Sequence, residues 1–86
     1  MLYKELDNKQ LKIPAKGNLD IDAKEGCVLV PTNSDRVFLH WLNEKEKIVA
    51  THTLKFSTLV TSKVRIINSE SREITLLKVD LPSQNT

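Results

Sequence analysis

Eighty-six residues suffice for one small domain with one core and are too few for a two-domain enzyme. Apolar residues make up 40 % and charged residues 28 %, with 2 Gly and 3 Pro, which excludes disordered, collagen-like and linker classes. The balance of 13 Lys and Arg against 11 Asp and Glu leaves a net charge of +2, without the concentrated basic surplus of an obligate nucleic-acid binder.

Three alanines against twenty Val, Ile and Thr residues favour strands over helices. In chain order, Met1–Gln10 fits either a frayed strand or one helical turn. Short extended pieces at 11–13 and 19–21 flank a turn at Lys16-Gly17-Asn18. Strands are then predicted at 27–30, 36–42, 48–56, 58–67 and 73–81. The polar stretches Pro31–Asp35, Asn43–Lys47 and Asn68–Arg72 separate them at hairpin length, and Ser57-Thr58 is a weak corner. Residues 1–81 form the expected domain and 82–86 a polar tail. The prediction is an all-β fold, a small antiparallel barrel or two-layer sandwich of about six or seven strands built from hairpins.

A regular hairpin closed by Asn68–Arg72 would place Ile66 opposite Ile74 and Val64 opposite Leu76, with Val60 on the same, core-facing side. Its reverse would mix Lys63, Arg65 and Ile67 with Thr75, Leu77 and Val79. A hairpin closed by Asn43–Lys47 would pair Leu42 with Ile48, His40 with Ala50 and Phe38 with His52. That leaves Val37, Leu39 and Trp41 on one side, with the better claim to be core, and Phe38, Leu42, Ile48, Leu54 and Phe56 on the other. Both sides are apolar, more than so short a chain is expected to cover by itself.

The sequence carries little that points to catalysis. Gly17 and Gly26 are isolated, so no glycine-rich phosphate loop forms, and no nucleophile elbow or triad spacing is present. Cys27, His40 and His52 lack a zinc-ligand spacing, so neither metal nor cofactor is expected. A single cysteine excludes an internal disulfide and suits a reducing compartment; an intracellular, cytoplasmic setting is expected. No apolar run is long enough to span a membrane, and Met1–Glu5 lacks the order of a signal peptide.

Glu25–Val30, Asp35–Trp41 and Leu54-Lys55-Phe56 resemble the middle strands of the pleckstrin-like ubiquitin receptor domain of the proteasome, which would put Phe56 in a ubiquitin-binding loop. Ser57-Thr58-Leu59 replaces the Pro-Asp-Asp of that family, and its closing helix is missing. Asp35–Leu39 with Leu54–Ser57 is similar to strands of a co-chaperone sandwich family, at a different gap. The two resemblances are incompatible, and ordinary strand patterning accounts for both, so neither is carried forward.

The expected function is a non-catalytic protein-interaction module or small structural subunit, associating with a protein partner or a second copy through an apolar sheet face. The expected contact residues are Phe38, His40, Leu42, Ile48, His52 and Phe56, with Arg36 on the rim. The alternative is a single-stranded nucleic-acid-binding β-barrel, in which Phe38, His40, Arg36, His52 and Phe56 would combine stacking with charge.

Overall fold

A computed structural model describes residues 7–32 and 36–81, so the readings of Met1–Leu6, of Asn33–Asp35 and of the tail lie outside the described residues. Eight strands follow in chain order: β1 (Asp7–Ile13), β2 (Asn18–Asp22), β3 (Cys27–Val30), β4 (Val37–Leu42), β5 (Ile48–Thr53), β6 (Thr58–Val60), β7 (Lys63–Asn68) and β8 (Ile74–Asp80). They form two antiparallel sheets, sheet A in the order β1-β8-β3-β6 and sheet B in the order β2-β7-β4-β5. The all-β prediction holds, and the two layers are those of a sandwich whose strand order is that of an eight-stranded jelly roll.

That order corrects the expectation of a fold built from hairpins. Only β4 and β5 are consecutive strands paired with each other; every other connection crosses between the sheets. The predicted pairing of 58–67 with 73–81 does not occur, because β7 lies in sheet B and β8 in sheet A. The predicted 58–67 strand itself breaks at Thr61-Ser62 into β6 and β7, one in each sheet. The inward faces are nevertheless those that the alternation predicts. Val60, Val64, Ile66, Ile74 and Leu76 are all buried, since period-two alternation turns the same residues inward whichever strand they pair with.

The core holds Ile13, Cys27, Leu29, Val37, Leu39, Leu54 and Val60, together with the apolar faces of β7 and β8. Leu54 is fully buried, not on the exposed side of its strand as expected, because β5 ends at Thr53 and the chain turns inward there. Tight turns make two of these crossings, β1 to β2 and β2 to β3. The Gly17 amide closes on the Pro14 carbonyl at 2.9 Å, and the Gly26 amide on the Ala23 carbonyl at 2.9 Å. Gly26 has φ +94°, a backbone conformation that favours glycine, and a Cβ there would lie 3.3 Å from the Leu81 side chain, which would have to give slightly.

Asn68, 1 % exposed, joins the layers at the end of the sandwich that holds the Gly17 turn. Its side-chain amide donates to the carbonyls of Ile13, Pro14 and Arg72 at 2.9–3.0 Å, and its Oδ1 accepts from the Glu70 amide at 2.8 Å. Every polar atom it buries therefore has a partner.

Candidate interaction surface

The β4–β5 hairpin was to carry the contact surface, and its loop forms as the sequence suggests. Asn43 Oδ1 accepts from the amides of Lys45 and Lys47 at 2.8 and 3.0 Å, the Glu46 amide closes on the Asn43 carbonyl, and Glu46 takes φ 61°. This is a tight turn ending in a left-handed residue. Leu42 pairs with Ile48 as predicted, but a bulge between Trp41 and Leu42 shifts every later pair by one residue. Trp41 faces Ala50, His40 faces Thr51, Leu39 faces His52 and Phe38 faces Thr53.

The shift separates the predicted contact residues. Phe38 and His40 point outward from sheet B, half-buried, with Phe38 between Ile67 and Thr53 and His40 between Arg65 and Thr51. His52 moves to the opposite side. Its Nδ1 accepts the Trp41 indole N–H at 2.7 Å, and the two rings meet edge-on at 6.1 Å. Leu42 is buried, which corrects its place in the contact, and Ile48 is 50 % exposed. Phe56 stands in the link to β6, 80 % exposed. Arg36, exposed, precedes β4, and its carbonyl accepts from the Ser69 amide at 3.1 Å. Trp41 is half-buried and packs against the core, as its side of the strand implied.

The rest of the outer face of sheet B is polar. Arg65 donates through Nε and Nη2 to the two carboxylate oxygens of Asp20, its cross-strand neighbour, at 2.7 and 2.9 Å. The hydrogen-bonded guanidinium holds the Asp20 carboxyl below its ordinary pKa.

Sheet A presents the contrasting surface. Alternation turns Cys27, Leu29, Val60, Ile74 and Leu76 inward and leaves Val28, Val30, Leu59, Leu77 and Val79 outward. Register sets them side by side: Leu59 beside Val28 beside Val79 in one row, Val30 beside Leu77 in the next. Leu59 is 56 % exposed, and the other four are partly covered. Gln10 and Lys12 on β1, with Thr75 on β8, border the patch with polar groups. Sequence reasoning missed Val28 and Val30 and placed Leu77 and Val79 beside Lys63 and Arg65. The clue was the run Cys27-Val28-Leu29-Val30, apolar on both faces, which needs cover on both.

One end of the sandwich holds a polar cleft of about 520 Å³, lined by residues that include Asp22, Lys24, Glu25, Lys78 and Asp80. The Lys78 ammonium is paired with the Asp80 carboxylate. Cys27 pairs with Asp80 in register and is fully buried, and burial pushes its thiol pKa up, the opposite of an activated nucleophile. Among the described residues, no three His, Cys, Asp or Glu side chains gather to hold a metal ion, and no helix is long and apolar enough to cross a membrane. No protein-family model matches the chain, and no curated protein matches it either.

Proposed function

We propose that the chain is a non-catalytic protein-interaction module or small structural subunit of an assembly, and that it associates through the outer face of sheet A. The observation that carries this reading is the contiguous set Val28, Val30, Leu59, Leu77 and Val79, with no charged residue among them and polar neighbours at the border. A sheet face left to water ordinarily alternates polar residues outward. Contiguous apolar patches rimmed by polar groups are how interaction surfaces are built.

The alternative, a single-stranded nucleic-acid-binding barrel, needs stacking aromatics beside uncommitted cations. Among the described residues Phe38 is the one Phe, Tyr or Trp on the outer face of sheet B, with Ile67 beside it on β7, while Arg65, beside His40, is committed to Asp20. The geometry therefore favours the protein-binding reading.

Gel filtration of an extract from cells producing the chain tests it. The wild-type chain is expected to elute within an assembly larger than a dimer of this 9.8 kDa chain, and Leu77→Lys to elute no larger than that dimer, with an unchanged circular dichroism spectrum. Elution of the wild type at the monomer position, or of both chains in the same assembly, contradicts the proposal.

A further inference from the structure

We propose that β5 is an open edge through which two copies of this chain join, β5 against β5, to make one continuous eight-stranded sheet from two copies of sheet B. The surface is separate from the outer face of sheet A and does not depend on what binds there.

Sheet edges are normally blunted by charge, by shortness or by cover, because an unpaired edge is a template for another strand. Of the four edge strands among the described residues, β1 carries Lys9 and Lys12, β2 carries Asp20 and Asp22, and β6 has three residues. β5 differs from all of them. It has six residues, Ile-Val-Ala-Thr-His-Thr, with no Asp, Glu, Lys or Arg, and all six side chains are exposed. No strand among the described residues pairs on its outer side. Ile48 and Val49, 50 % and 63 % exposed, belong to it.

What such an edge offers is backbone, so its occupant is an extended strand. The Leu54 amide donates to the Val37 carbonyl at 2.8 Å, which fixes the alternation: Ala50, His52 and Leu54 turn their backbone groups toward β4, while Thr51 and Thr53 turn theirs outward. The Thr53 carbonyl is already used by the Lys55 amide at 3.1 Å. Antiparallel self-pairing needs outward residues opposite one another, and a two-fold axis at Thr51 supplies this. The Thr51 N–H of each copy donates to the Thr51 carbonyl of the other, and Thr53 falls opposite Val49. The facing side chains are Thr against Thr and Val against Thr, β-branched pairs suited to a ladder. No like charges meet within the strand, and the register brings like charges, Lys47 and Lys55, toward each other only beyond its ends, whereas β2 would set carboxylate against carboxylate within the strand itself. The partner that this uncharged, symmetric edge fits is therefore a second copy.

Sedimentation of the purified chain over a concentration series, with Trp41 emission followed in parallel, tests the proposal. Wild type is expected to pass from monomer to dimer. Trp41, whose strand is joined to β5 and whose indole is bonded to His52, is expected to shift to the blue as the dimer forms. Thr51→Pro removes a backbone N–H that β4 does not use and should leave the fold intact but monomeric. Thr51→Lys sets two ammonium groups together across the axis and should weaken the dimer by about tenfold or more, which keeps the test valid if the proline variant misfolds. A wild-type chain that stays monomeric at the highest concentration overturns the proposal. So does a dimer that survives both Thr51 variants and is lost in Leu77→Lys, which would assign self-association to sheet A.

Discussion

Asn68 shows how one residue can hold two layers together. Its amide serves three carbonyls, those of Ile13 and Pro14 from the β1–β2 crossing and that of Arg72 from the β7–β8 loop. Asn68→Ala is expected to cost about 2–4 kcal/mol in urea unfolding, because the Ile13 and Arg72 carbonyls lose this donor, while the Pro14 carbonyl keeps the Gly17 amide. Asn68→Asp should be worse near neutral pH, where a carboxylate would face three carbonyl oxygens. The sign follows from burial: the folded-state pKa of that carboxyl would lie above its unfolded value of about 4, so the penalty grows as pH rises past that value and is relieved on acidification. A variant equally stable at pH 4 and pH 7 would refute this account of the site. The Asp20–Arg65 pair has the opposite sign and a smaller weight. Its lowered carboxyl pKa adds stability that is complete above the ordinary carboxylate range and fades as pH falls through the lowered value, and exposure of both side chains keeps it modest.

At the scale of elements, the β4–β5 hairpin shows what a sequence reading can and cannot recover. Its loop was legible because Asn43 and the polar run after it have a local geometry that their own side chains enforce. The bulge was not, because a one-residue insertion leaves the alternating pattern of both strands intact and changes only their relative phase. His52 changed sides for that reason alone. The Trp41–His52 bond that results fastens the exposed strand β5 to its neighbour through side chains as well as backbone. Trp41 is half-buried against the core, so Trp41→Ala should cost about 2–4 kcal/mol, near the low end for a buried tryptophan. Wild-type emission at the wavelength of free indole, with no change in melting for the variant, would place Trp41 outside the core.

For the whole molecule, inward faces were readable and connectivity was not. Val64, Ile66, Ile74 and Leu76 turn to the core in either topology, but turn length could not say whether Asn68–Arg72 closes a hairpin or crosses to the other sheet. The crossing has a functional consequence. It carries Lys63 and Arg65 to the outside of sheet B and leaves Leu77 and Val79 beside Val28 and Val30 on the outside of sheet A, so the charged residues and the leucine-valine cluster part onto different faces. The most direct measurement of the claim that the apolar face is the contact surface is photocrosslinking in producing cells from a reactive amino acid placed at Leu77, on sheet A, or at His40, on sheet B. The account predicts a discrete protein adduct from position 77 that Val79→Lys removes, and none from position 40; adducts from position 40 with none from position 77 would contradict it.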